Sequence, residues 1–275
     1  MIQDKSVTID GLNARYLEEG QGPVALLLHG AALGTSADVW SGNIGPLASR
    51  GLRVIAPDLP GWGLTDAPSD HSFGYRRRFV LKFLDALGIN RAAFIGHSAS
   101  GRIAVETAFA ETDRVTRIIV LGSGTLLPPL EGVPMGPPDD RVSAEPTIED
   151  TRAGLEANTF NQSLITPELV ELRHRMSLGK SLESALARQS TPAEPAPQPP
   201  FWARLDQIPV PAQFLYGRQD RGEAGKRSEL ARQRYPKLDL HVFDGCKHMI
   251  QWDKAREFEE LAAEFLLARE PAGAA

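Results

Sequence analysis

The sequence predicts an α/β fold: a mostly parallel sheet of eight strands, flanked by helices, with a helical lid inserted late in the chain. Three observations carry this. Short apolar or β-branched runs alternate with amphipathic stretches, the pattern of strands joined by crossover helices. Val24–Leu28 is a continuous apolar run, as expected of a strand buried on both faces. Residues 126–205 hold no buried strand run and interrupt the alternation.

Residues 7–9 and 14–18 flank Gly11 and read as an opening antiparallel pair. Residues 52–56 repeat the pattern of residues 24–28 and stop at Pro57. Phe79, Phe83, Leu84 and Leu87 fall at helical spacing, and Gly88 ends that helix. Residues 92–95 form the next strand and residues 99–110 a helix. Residues 117–121, 213–216 and 240–243 complete the strands, and residues 254–267 form a closing amphipathic helix.

The interruption carries two proline-rich stretches, 128–138 and 192–200, with helical segments at 148–158 and 167–176 between them. Thr166 is a good helix cap and Pro167 suits the first helical position. The expected division is a core of residues 1–125 and 206–275 with a lid of residues 126–205. The tail, residues 269–275, is expected to fray.

Composition narrows the function. The 275-residue chain has a formal net charge of −5 with both signs interspersed, unlike the basic stripe of a nucleic-acid binder. A lone cysteine, Cys246, excludes an internal disulfide and points to a reducing compartment. Residues 1–10 lack an apolar signal core, and the longest apolar run is too short for a bilayer. The reading is a cytoplasmic protein acting on a small molecule, an organic acid, without membrane or nucleic-acid partners. A homo-oligomer is compatible with it. With no metal-ligand cluster or phosphate loop visible, no metal or cofactor is expected.

The chemistry concentrates in Phe94-Ile-Gly-His-Ser98-Ala-Ser-Gly101, where an apolar strand meets a helix. A serine attacks well only when its hydroxyl is exposed and a base can reach it. A sharp strand-to-helix turn achieves both and needs small flanking residues. The pattern G-x-S-x-G is partly met, because Ser100 takes the second glycine's place and Gly101 follows one later. Leu28-His29-Gly30-Ala31 follows an earlier strand. The backbone N–H groups of Ala31 and Ala99 are candidate oxyanion donors. His29 reads as a histidine that holds this loop in shape. Asp220 follows the seventh strand and His248 the eighth. That order, Ser98, Asp220, His248, gives a nucleophile, a carboxylate and a general base at strand C-terminal ends. His71, His174 and His241 lack such a position. Asp244 is too near His248 along one loop, and Cys246 has neither base nor elbow.

Asp58-Leu-Pro-Gly-Trp-Gly-Leu-Thr-Asp66 resembles the D-x-P-G-x-G-x-S segment of α/β-hydrolases, so the fold expected is the α/β-hydrolase fold. Within that superfamily the chain is most similar to the meta-cleavage-product hydrolases. The likeness rests on His29-Gly-Ala-Ala-Leu-Gly34, on residues 161–173 ending in Arg173, on Leu240-His-Val-Phe-Asp-Gly-Cys-Lys-His248, and on Met249-Ile-Gln-Trp-Asp253. The resemblance implies hydrolysis of a carbon–carbon bond in 2-hydroxy-6-oxo-hexa-2,4-dienoates, products of aromatic ring cleavage. It implies that Arg173 binds the substrate carboxylate, and that Asn43, His97, Trp202 and Met249 contribute to the pocket. This sequence departs from the family at His97 for Asn, Ser100 for Gly, Lys247 for Gly and Met249 for Trp, and its oxyanion loop lacks the usual Gly-Pro pair. A carboxylesterase or lactonase with the same triad, a cofactor-free oxygenase, and a non-catalytic ligand receptor are the alternatives.

Overall fold

The computed structural model describes residues 1–133, 142–192, 194–195 and 197–268. The expected fraying of residues 269–275 lies outside these, as does part of each proline-rich stretch. One eight-stranded sheet organises the chain, in the order β1-β2-β4-β3-β5-β6-β7-β8. The strands are β1 (Gln3–Ile9), β2 (Leu12–Glu19), β3 (Val24–Leu28), β4 (Arg53–Pro57), β5 (Ala92–His97), β6 (Val115–Leu121), β7 (Ala212–Gly217) and β8 (Asp239–Phe243). Only β2 runs against its neighbours β1 and β4; all other pairings are parallel. Asp10 and Gly11, both at positive φ (50° and 82°), make the two-residue turn between β1 and β2.

Alternation along the central strands sorts side chains onto two faces. Leu26, Leu28, Phe94, Ile118, Val120, Phe214 and Tyr216 face one core. There they meet α2 (Phe73–Ala86) through Phe79, Phe83 and Leu84, and α3 (Ala99–Ala110) through Ile103 and Ala104. Ala25, Leu27, Ile95, Ile119, Leu121 and Leu215 face the other core. Its cover is α1 (Ser41–Ser49), with Ile44 and Leu47, and the last helix, Ala255–Leu267, with Phe258 and Leu266. Burying each such leucine or phenylalanine contributes about 1.5–3 kcal/mol, so the central strands are fixed from both sides.

Between β6 and β7 lie α4 (Ile148–Asn158), α5 (Pro167–Arg175) and α6 (Lys180–Ser190). Thr147 and Asp150 form a reciprocal capping box on α4, and Thr166 caps α5 with Pro167 in its first turn. Leu155, Ile165 and Val170 make a small cluster of their own, against which Trp252 packs. α6 docks on the loop after β4: the Lys180 ammonium donates to the Leu64 carbonyl at 2.9 Å, and the Arg188 guanidinium lies 3.5 Å from the Trp62 ring centre. The remaining helices are α7 (Ala224–Arg234) and α8 (Ile250–Asp253); the last helix is α9. None is long and apolar enough to cross a membrane among the described residues.

Candidate active site

The chain leaves β3 toward β4 on one side and returns to β5 on the other, so the loops after β3 and β5 face each other at the switch in strand order. Ser98 sits at that switch with φ 55° and ψ −121°, a conformation costly for a residue with a side chain. Two glycines make the turn fit. A Cβ on Gly96 would lie 2.3 Å from the Ser100 carbonyl oxygen, and one on Gly101 would lie 2.8 Å from Ser123 Cβ and 2.9 Å from Val120 Cγ1. Ser100 points inward, 1% exposed, and its hydroxyl donates to the His29 carbonyl. The serine at the usual glycine position therefore crosslinks the elbow to the end of β3. Ser98 itself is only half-buried.

The loop after β3 passes close by, since a Cβ on Gly30 would lie 3.1 Å from Ser98 Cβ. The N–H of Ala99, first residue of α3, has no acceptor within its own helix. Ala31 is exposed on the loop. His29 is fully buried; the Leu59 N–H donates to its Nε2 at 2.9 Å, and its Nδ1–H donates to the Gly30 carbonyl at 2.7 Å. Burial pushes its pKa down to about 3, so it is neutral and holds the loop in shape.

Asp220 follows β7 and His248 follows β8, and the two meet: His248 Nδ1 lies 2.9 Å from Asp220 Oδ2. The other Asp220 oxygen accepts the Arg221 N–H at 2.7 Å. A carboxylate on Nδ1 places the proton there and leaves Nε2 free to accept one. The His97 ring is 4.8 Å from that of His248, and its Nε2–H donates to the His248 carbonyl at 3.0 Å. Burial drives the His97 pKa well below the usual imidazole range. Three competing residues are engaged elsewhere. Asp244 pairs with Arg218, His241 with Asp239, and His174 with the Thr151 hydroxyl. Cys246 is buried, and burial pushes its thiol pKa up, against nucleophile chemistry.

The residues expected around the pocket divide. Arg173, on α5, packs its Cδ near Gly34 of the loop after β3: a Cβ on Gly34 would lie 3.3 Å from it. The residue is only partly covered overall, yet burial around its charged end pulls the guanidinium pKa down to about 10. No hydrogen bond or ion pair reaches that guanidinium among the described residues. Its field also lowers the pKa values of His29 and His97. Asn43 is buried, and its amide donates to the Gln251 carbonyl and to Glu259, both at 3.0 Å, so these donors hold α1 to α8 and α9 rather than serving a substrate. Trp202 is engaged with α7. Its carbonyl accepts the Tyr235 hydroxyl at 3.1 Å and Arg234 lies over its ring, at the end of α7. A segment entering β7 and a helix leaving toward β8 both sit at the opposite rim of the sheet from Ser98. Met249 is buried beside His248, its N–H donating to the Asn158 carbonyl at 3.0 Å. A depression of about 770 Å³ beside β1 and β2, lined by Lys5, Glu18 and Arg53, includes none of these residues.

The sequence profile of the Alpha/beta hydrolase family matches residues 25–261. This chain belongs to that family. The hydrolase is similar to 2-hydroxy-6-oxononadienedioate/2-hydroxy-6-oxononatrienedioate hydrolase of Burkholderia vietnamiensis, 33% identical across 95% of this chain and 94% of that one. It is also similar to 2-hydroxy-6-oxo-6-phenylhexa-2,4-dienoate hydrolase of Burkholderia cepacia, 33% identical across 90% and 89% of the two chains. Among solved structures, a meta-cleavage product hydrolase from Pseudomonas fluorescens superposes with a TM-score of 0.78 at 28% identity, covering 95% of this chain and 96% of that one. The hydrolase thus has the resemblance and the α/β-hydrolase fold expected of its sequence.

Proposed function

We propose that this hydrolase cleaves a carbon–carbon bond in 2-hydroxy-6-oxo-hexa-2,4-dienoate-type acids, with Ser98 as nucleophile, His248 as base and acid, and Asp220 orienting His248. The observation that carries the reading is Arg173. Its side chain lies against Gly34 of the loop after β3 and pairs with no anion among the described residues, so a substrate carboxylate would meet an unengaged forked donor there. An esterase or lactonase could use the same serine, imidazole and carboxylate but would leave that cation unemployed.

The reading implies the following chemistry. Ketonisation of the dienol first moves a proton from the 2-hydroxyl to C5, which makes C5 a better leaving group. Ser98 Oγ then attacks the C6 ketone carbon, and its proton passes to His248 Nε2, which the Asp220 contact leaves unprotonated. Ala31 and Ala99 N–H groups hold the negative charge that develops on the C6 oxygen. When that carbonyl re-forms, the C5–C6 bond breaks. Its electron pair delocalises through C4 and C3 onto the 2-oxygen, and the proton returns from His248. Arg173, forked toward the C1 carboxylate and the 2-oxygen, stabilises this dienolate. Water, deprotonated by His248, then hydrolyses the Ser98 ester and releases the second acid.

The test is loss of the visible absorbance of ring-cleavage dienoates by the wild-type protein and by Ser98→Ala, beside hydrolysis of a neutral nitrophenyl ester. Dienoate turnover that disappears in Ser98→Ala supports the reading. Ester turnover with no dienoate turnover overturns it in favour of the esterase. The proposal places the enzyme in the cytoplasm, acting on a diffusible organic acid.

A further inference from the structure

The loop carrying His248 is fastened on three sides. His97 holds the His248 carbonyl itself. The residue before it, Lys247, donates its N–H to Asp253 Oδ2 at 3.0 Å, and its side-chain ammonium donates to the Glu156 carbonyl at 3.0 Å. The residue after it, Met249, donates its N–H to the Asn158 carbonyl. Glu156 and Asn158 belong to the last turn of α4. Asp253 closes the arrangement. Besides Lys247 it accepts the N–H of Phe160 at 2.9 Å to each oxygen and the N–H of Asn161 at 2.9 Å. One carboxylate at the end of α8 thus gathers backbone donors from the His248 loop and from the segment that follows α4.

We propose that Asp253 is a positioning residue for catalysis: its carboxylate clamps the His248 loop to the inserted segment, so that the place of the imidazole is set by where that segment sits. This rests on the reading of His248 as the base. A carboxylate suits the task because it accepts on every side and donates on none; three N–H groups converge on it with charge-assisted strength. An amide in its place keeps the shape but turns an NH₂ toward at least one of those donors. Lys247, which replaces a glycine at this point of the family pattern, adds a second tie to the same helix. The inserted segment and the histidine then move as one body, because Lys247 and Met249, on either side of His248, are both bonded to it.

The experiment compares wild type, Asp253→Asn, Asp253→Glu, Lys247→Met and His248→Ala. Four readouts are taken: kcat and KM on a ring-cleavage dienoate and on a nitrophenyl ester, the pH profile of kcat/KM, the rate at which a fluorophosphonate labels Ser98, and the thermal midpoint. Misplacing a base by about 1 Å costs about 100-fold, so Asp253→Asn is expected to lower kcat about 10- to 100-fold on both substrates. Its KM is expected to change less than about threefold. Labelling of Ser98 slows in proportion, and the limb of the pH profile that belongs to the base moves by about 0.5 unit or more. Asp253→Glu, which keeps the carboxylate, recovers most of kcat. Lys247→Met shows the same pattern at smaller size and carries the test should Asp253→Asn fail to fold. Folded Asp253→Asn with wild-type kcat, labelling rate and pH limb overturns the proposal. So does an unfolded Asp253→Asn together with a Lys247→Met variant of wild-type behaviour. His248→Ala that labels at the wild-type rate overturns instead the assignment of the base, and does so whatever Asp253 does.

Discussion

The hydroxyl of Ser100 donates to the backbone carbonyl of His29, joining the first turn of α3 to the end of β3. The proposed nucleophile, Ser98, and one proposed oxyanion donor, Ala31, adjoin those two elements, so the bond helps to fix the distance between them. Ser100→Ala leaves a buried carbonyl without its partner, which costs about 1–3 kcal/mol. The expected outcome is a lowered urea midpoint with an unchanged slope, together with a several-fold loss of kcat. A midpoint equal to wild type would show that the bond contributes nothing.

Arg173→Ala is expected to lower kcat/KM for dienoates by about 100-fold, the size of a lost charge-assisted pair. Neutral esters should change less than about threefold, since they offer the guanidinium no anion. Arg173→Lys should recover only part of the loss, because a point charge cannot fork across two oxygens. Steady-state rates on both substrate classes decide it; equal losses on both would remove the carboxylate anchor.

The two glycines of the elbow should differ in their tolerance. A Cβ at Gly96 meets the Ser100 backbone carbonyl at 2.3 Å, which only a shift of the whole turn relieves. At Gly101 the obstacles are the side chains of Ser123 and Val120, which can give way. Gly101→Ala is expected to cost about 1–3 kcal/mol, and Gly96→Ala more, with loss of serine reactivity. Thermal midpoints and fluorophosphonate labelling rank the two; the reverse order would contradict the packing.

His29 should make the protein acid-sensitive. Its pKa falls from the ordinary 6.5 to about 3 on folding, because burial penalises the charged ring. Between those values the unfolded chain binds the extra proton and the folded one does not. The group's contribution is therefore complete above pH 6.5 and lost as pH falls toward 3, at about 1.4 kcal/mol per pH unit. Urea unfolding of wild type and His29→Gln at a series of pH values measures this. The variant should show the shallower acid decline, and parallel curves would refute the assignment.

Much of this architecture is legible in the chain because local and global preferences agree. β3 is read residue for residue from its apolar run, and α4 to its exact ends through helical patterning. α1 escapes notice because Gly42, Gly45 and Pro46 erase its propensity, and the helix exists through burial of Ile44 and Leu47. α7 escapes because its surface is charged, with only small residues and Arg227 turned inward. Within the candidate site, the Asp220–His248 contact is legible from the order of loops after parallel strands. Asn43 and Trp202 are not, since side-chain partners more than 200 residues away for the one, and the sheet rim for the other, decide where they point. Asp253 ends a stretch that carries the family likeness, but nothing in that stretch names its partners: Phe160 and Asn161 come close only through the folding of the inserted segment.

Arg15 joins parts of the molecule that the sheet alone would leave independent. Its guanidinium contacts Asp4 on β1 at 2.9 Å, Asp38 at 2.7 Å and the fully buried Asp58 at 3.4 Å. Burial opposes its charge, yet the bonds to Asp38 and Asp4 prevail and raise its pKa. Asp58 in turn accepts the N–H groups of Ala37 and Leu64, beyond the oxyanion loop and within the turn after β4. A peripheral hairpin is thereby wired to the segments that border the candidate site. Damage at the first strand would therefore loosen contacts that reach the segments after β3 and β4, not the hairpin alone.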